Sequence, residues 1–173
     1  QKNGKLISIK DKGWHHFEET HHVPLIIRFP DGSHTGKRIA EFASIADMYP
    51  TILDFAGGNY DQDKIHGTSL LPLINGETSN WRDCVVTEFL GLGNVATSMK
   101  MLRMGNLKYG CNLTGQDELY DLEKDPHEMN NLIDDPEYVD DVKMLKVKLK
   151  KWMQETDDPA LRMYQWREKE GIV

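Results

Sequence analysis

Lys12-Gly13-Trp14-His15-His16-Phe17-Glu18-Glu19-Thr20 leads through His21 and His22 into Val23-Pro24-Leu25-Ile26-Ile27-Arg28-Phe29-Pro30. A cation, a pair of imidazoles and a pair of carboxylates crowd together immediately ahead of the most apolar run in the first half of the chain. α/β proteins carry their chemistry on loops and their rigidity in strands. The stretch therefore reads as a ligand-facing loop and short helix feeding one buried strand. Trp14 to Thr20 is long enough for two helical turns, and on a helix His15 and Glu19 share a face, as do Glu18 and His22. Pro24 forces an extended backbone, so Leu25-Ile26-Ile27 is expected as a short parallel strand covered on both faces. Pro30-Asp31-Gly32-Ser33 closes it with a turn.

Upstream of this stretch, Leu6, Ile7 and Ile9 alternate weakly before the turn signal Lys10-Asp11-Lys12-Gly13. Downstream, Ser44 is a good N-cap for a helix over Ile45 to Phe55, with Asp47 suited to its first turn. Ile45, Met48, Ile52 and Phe55 lie on one stripe, which predicts packing against a sheet. Pro50 predicts a kink or a restart, and Gly57-Gly58 a stop. Residues 59–83 are loop-rich apart from an apolar patch from Ser69 to Ile74, and the domain boundary is placed here, separating 1–75 from 76–173. Beyond it, Val85–Phe89, Ala96–Met104, Leu107–Tyr109 and Glu118–Asp121 read as short strands of an antiparallel sheet. A helix is expected from Pro136 to about Gln154, with Tyr138, Val142, Leu145, Leu149 and Trp152 on its apolar face. Leu161, Met163, Tyr164 and Trp166 equip the tail to wrap onto the body.

Three stretches together resemble the sulfatase family, within the alkaline-phosphatase-like superfamily. They are Lys12-Gly13 through Glu18-Glu19 and Val23-Pro24-Leu25-Ile26-Ile27-Arg28; Ile45 to Gly57 with Gly67-Thr68-Ser69-Leu70-Leu71-Pro72-Leu73; and Glu118-Leu119-Tyr120-Asp121-Leu122-Glu123-Lys124-Asp125-Pro126 with Glu128 and Asn130-Asn131-Leu132. They occur in the family's order across most of residues 12–138. The fold class that follows is α/β, passing to α+β in the C-terminal part. Residues 1–75 would be the end of a sulfatase-like α/β catalytic domain, and 76–173 a small antiparallel four-stranded sheet packed with a C-terminal helix. The resemblance implies metal-assisted hydrolysis of sulfate esters, carbohydrate sulfates before small aryl sulfates, by a formylglycine nucleophile with calcium. It places the nucleophile and the calcium ligands upstream of Gln1, so that residues 1–173 by themselves are expected to hold no metal and to be inactive. It further implies a periplasmic, secreted or lysosomal location, and a partner in the missing N-terminal part of the same protein.

By the same resemblance Lys12 matches the lysine that contacts the sulfate, where an ammonium donates hydrogen bonds to the oxygens that gather charge during hydrolysis. Lys10 is a competitor two residues away. His15 matches a substrate-pocket histidine of glycan-directed members, and His16 is its neighbour; imidazoles there can protonate a leaving alkoxide or bind sugar hydroxyls. Glu18 and Glu19 match an acidic pair, and adjacent residues point apart, so they are expected to brace the loop by ion pairs rather than act as an acid–base couple. His22 stands where the family often has arginine, leaving that ion pair absent or dependent on pH. His15, Glu18, Glu19 and His22 lack the order and the third ligand of a helix-borne zinc site.

Composition limits the alternatives. Apolar residues make up 39% and charged residues 28% of 173 residues, which is ordinary for a folded chain with one good core or one and a half. No window approaches a membrane-spanning length of apolar residues. Net charge is −7, and residues 1–60 hold seven basic and seven acidic side chains, so the whole excess lies beyond Tyr60. With no basic stripe, nucleic acid is not an expected partner. The acidic run from Asp117 to Asp141 lacks the ligand order and central glycine of an EF-hand and reads as a solvated surface with helix caps. Cys84 and Cys111 read as buried free thiols unless strands bring them together, and Asn112-Leu113-Thr114 is a glycosylation sequon of meaning only in a secretory eukaryote. Two rival readings remain open. One is a phosphodiester or phosphonate hydrolase of the same superfamily; the other is a noncatalytic interaction module binding through its sheet edge.

Overall fold

The computed structural model describes residues 16–90 and 98–172. Lys10, Lys12 and His15 lie outside the described residues. So do Trp14, the weakly alternating Leu6 to Ile9 and the first residues of the expected second strand.

A four-stranded antiparallel meander organises the second half. β1 (Cys84–Phe89), β2 (Met99–Met104), β3 (Leu107–Asn112) and β4 (Glu118–Asp121) lie in the order β1-β2-β3-β4. Gly105, at φ 56, eases the tight turn between β2 and β3, since glycine takes a left-handed conformation with no Cβ to clash. Register sets the faces: Leu102 opposes Tyr109, Arg103 opposes Lys108 and Tyr109 opposes Leu119. Because side chains alternate along a strand, Leu102, Tyr109, Cys111 and Leu119 share one face. Val85, Thr87, Met101, Arg103, Lys108 and Tyr120 share the other.

The first face carries the main core. α4 (Val139–Glu155) lays Val142, Leu145, Leu149 and Met153 onto it, and Tyr164 of α5 (Leu161–Lys169) completes the cluster. α4 starts from a 3-10 turn at Pro136–Tyr138 whose cap is Asp135, the carboxylate accepting from Glu137 N. Lys100, fully buried on the same face, is held between Glu88 and Asp158 and lies near the Trp152 ring. Arg167 reaches inward from α5 to the Asn112 carbonyl at 2.6 Å and to Asp117 at 3.3 Å. The acidic run is thus only partly a solvated surface: Asp117, Asp121 and Glu128 are buried, each with a donor or cation.

The first half departs from expectation in two places. Leu25–Ile27 is not a strand and not buried; Ile26 is 88% exposed. An isolated apolar strand has neither a ladder nor a cover, and no strand of the described residues lies beside it. The second departure is the helix. Ser44 does cap it, in a reciprocal box with Asp47, but a 3-10 turn at Ile45–Asp47 precedes α2 (Met48–Ala56). The buried face is Asp47, Pro50 and Thr51, whereas Ile45, Ile52 and Phe55 point outward. Gly57 ends the helix at φ 70. α3 (Leu71–Asn75) forms from the apolar patch, and Leu70, Leu73 and Ile74 make a second, smaller core with Phe29, Met48 and Trp81.

Candidate functional site

Among the described residues of the motif segment, one helical turn forms, α1 (Glu18–His21). It is seated on the sheet face opposite α4. His16 is 6% exposed; its Nδ1 lies 3.1 Å from Thr87 Oγ1 of β1 and 3.1 Å from His21 Nε2. The Phe17 ring meets Tyr120 of β4 edge-on at 6.4 Å, and the Thr20 hydroxyl donates to the Phe17 carbonyl at 2.8 Å. The space left among Phe17, Met99, Met101, Gly110 and Tyr120 is about 10 Å³, no more than one water can occupy. Segment and sheet are in close contact.

Glu18 binds this contact together. Its Oε2 accepts from Arg103 Nη1 at 2.5 Å, its Oε1 lies 3.2 Å from Lys108 Nζ, and its backbone N–H donates to Glu128 Oε2 at 2.6 Å. Lys108 also pairs with Glu128 Oε1 at 2.7 Å. His22 Nδ1 stands 3.2 Å from Glu18 Oε2, so the position where the family often has arginine keeps a Glu18 contact. Glu18 braces the loop as its adjacency to Glu19 suggested, while Glu19 faces outward. Burial, then the neighbouring Glu118 and Glu128 charges, raises the Tyr120 phenol above its ordinary range, so Tyr120 stays protonated here. Arg103, Lys108 and Glu128 were not singled out as site residues from sequence. Glu128 lies 110 residues from Glu18, and no spacing rule connects them.

A second braced point orders the segment that follows. Asp47, fully buried, receives Ser44 N at 2.7 Å, Thr68 N at 2.9 Å and Arg82 Nη2 at 2.6 Å. The Gly67-Thr68-Ser69 motif thus docks on the α2 N-terminus. The two cysteines are free; β2 lies between their strands, which exceeds the span a disulfide can bridge. Among the described residues no group of three or more His, Cys, Asp or Glu side chains could hold a metal, and no described helix is long and apolar enough to cross a membrane.

The chain belongs to the sulfatases: residues 8–155 match the family described as N-sulphoglucosamine sulphohydrolase, C-terminal. It is 35% identical to human arylsulfatase K over 126 residues, which are 67% of this chain and 23% of that protein. A solved structure, 28% identical with a TM-score of 0.60 over 65% of this chain and 24% of the other, is a complex with its substrate D-glucosamine-2-N,6-O-disulfate. The phosphonate monoester hydrolase of Agrobacterium radiobacter is 27% identical with a TM-score of 0.61, over 72% of this chain and 27% of that one. The chain spans about a quarter of the length of the relatives it matches. The small antiparallel sheet with its helices is the C-terminal architecture of that α/β fold.

Proposed function

We propose that these residues are the C-terminal part of a sulfuric ester hydrolase acting on sulfate monoesters, carbohydrate sulfates foremost, and that they supply a sulfate-binding lysine without the nucleophile. The observation that carries this reading is the seating of the motif segment. The sheet grips Glu18 and His16 from Arg103, Lys108, Glu128 and Thr87, six and four residues after Lys12, and catalysis by charge stabilisation requires donors held before the reaction begins. Lys12 donates to the sulfate oxygens. His15 takes the leaving-group side, protonating the alkoxide or binding a sugar hydroxyl. His16, expected beside His15 at the substrate, is instead buried against Thr87 and orients the residues that follow it. Calcium and formylglycine are features of the family; their residues belong outside 1–173, and a quarter of the relatives' length is expected to be inactive by itself.

The boundary near residue 75 is proposed as a seam between the two cores rather than a free linker, because Trp81 Nε1 donates to the Phe42 carbonyl at 2.7 Å across it. A periplasmic, secreted or lysosomal location is proposed with the family. A second reading, phosphonate or phosphate diester hydrolysis, is favoured by the likeness to the Agrobacterium enzyme. The test is turnover of the complete polypeptide on matched aryl esters. Faster hydrolysis of the sulfate supports the first reading, faster hydrolysis of the phosphonate the second, and turnover of either by 1–173 alone overturns the missing nucleophile.

A further inference from the structure

We propose that Glu128 is a positioning residue: its buried ion pair with Lys108, joined by the half-buried Arg103 and Glu18, forms an ionic latch that fixes residues 16–22, which follow Lys12 and His15 in sequence, onto the C-terminal sheet. The inference rests on the sulfatase reading for what the loop does, but not for the latch itself. Glu128 is 5% exposed, and its carboxylate splits its two oxygens between the Glu18 backbone N–H at 2.6 Å and Lys108 Nζ at 2.7 Å. Glu18 pairs with both Arg103 and Lys108, and Lys108 also pairs with Glu128, so removing one member leaves another without its partner. The backbone gives independent support. Glu128 sits at φ 52, a left-handed conformation that glycine, asparagine or aspartate would adopt more easily. A long carboxylate held in a strained conformation, buried and aimed at a loop 110 residues earlier, is there for its reach.

The latch also crosses elements. Lys108 and Arg103 oppose each other on β3 and β2, and Glu128 follows β4, whose Tyr120 packs on Phe17. Three consecutive parts of the C-terminal sheet region therefore converge on one turn of helix. Misplacement of a catalytic group by about an ångström lowers rate by roughly a hundredfold, which is the scale on which the latch should be felt.

The experiment uses the complete polypeptide with Glu128→Gln and Glu128→Asp. Glu128→Gln removes the charge. Glu128→Asp keeps it, suits the left-handed backbone better, and shortens the reach by one methylene, so it is the variant expected to fold even if the other does not. Two readouts are taken: kcat and KM on an aryl sulfate, and hydrogen–deuterium exchange of a peptide spanning residues 16–22. The latch predicts that Glu128→Asp lowers kcat roughly 10- to 100-fold with KM changed much less, and that residues 16–22 exchange faster while the α4 peptide does not. Unchanged kcat together with unchanged exchange in 16–22 overturns it, as does equal loss of protection in α4, which marks a merely structural residue. If the unaltered polypeptide turns over no sulfate ester, the sulfatase reading falls, and the latch is judged by exchange alone with the same two outcomes.

Discussion

Gly67 carries no side chain because there is no space for one. A Cβ at that position would lie 2.0 Å from the Ala46 carbonyl oxygen, a backbone atom that cannot move without breaking the turn Asp47 holds. Gly67→Ala is therefore expected to destabilise by about 2 kcal/mol or more, from overpacking and from loosening Thr68 on Asp47, seen as a lowered midpoint in urea. A midpoint unchanged from the parent would show that the Gly67–Ala46 approach is not the constraint it looks to be. Ser44 and Asp47 were legible as a cap and a first-turn acid, since both act on neighbours within one turn. Asp47 as the anchor of Thr68 and Arg82 was not, because those partners lie 21 and 35 residues away. Glu18 was legible as a brace from its adjacency to Glu19, but the cations it braces against were hidden in strands.

At the scale of elements, β3 packed against α4 and α5 makes a testable electrostatic unit. Burial, then the Asp117 charge, pushes the Cys111 thiol up to about 12 from an ordinary 9.0. Burial likewise raises the Tyr109 and Tyr164 phenols. A native state that keeps protons the unfolded chain releases is fully stabilised by these groups below pH 9 and loses that stability as pH rises. Each titrating group contributes a slope of about 1.4 kcal/mol per pH unit. The folding free energy should fall from pH 9 to 11, and Cys111→Ala should flatten that fall by the share of one group; a pH-independent stability over the range would contradict the burial of the thiol. The sheet and α4 were legible because each has its own period: four short strands between Gly and Asn turns, and apolar residues at helical spacing. The strand at Leu25–Ile27 was inferred from the same kind of signal and is not seen. A hydrophobic run states that a surface needs covering; it does not say which residues cover it.

That distinction governs the whole molecule. Val23, Leu25 and Ile26 are exposed, and so are Ile45 of the 3-10 turn and Tyr49, Ile52 and Phe55 of α2; Phe29 and Phe55, 5.3 Å apart, bring the two together. An apolar surface of this kind marks a contact to be made. On the sulfatase reading proposed above, the rest of the α/β domain covers it. The isolated 173-residue chain is then expected to self-associate at micromolar concentration in sedimentation velocity. Ile26→Lys with Ile52→Lys should return it to a monomer and prevent folding of the complete polypeptide. A monomeric parent chain would count against the covered face.

The proposed function turns on Lys12 contacting the sulfate. The most direct measurement is the steady-state turnover of an aryl sulfate by the complete polypeptide with Lys12→Ala beside Lys10→Ala. Lys12→Ala is expected to lower kcat by roughly a hundredfold or more, the scale of one lost donor to a developing oxyanion, while Lys10→Ala stays within about twofold of the parent. Retention of kcat by Lys12→Ala, or its loss in Lys10→Ala instead, would contradict it.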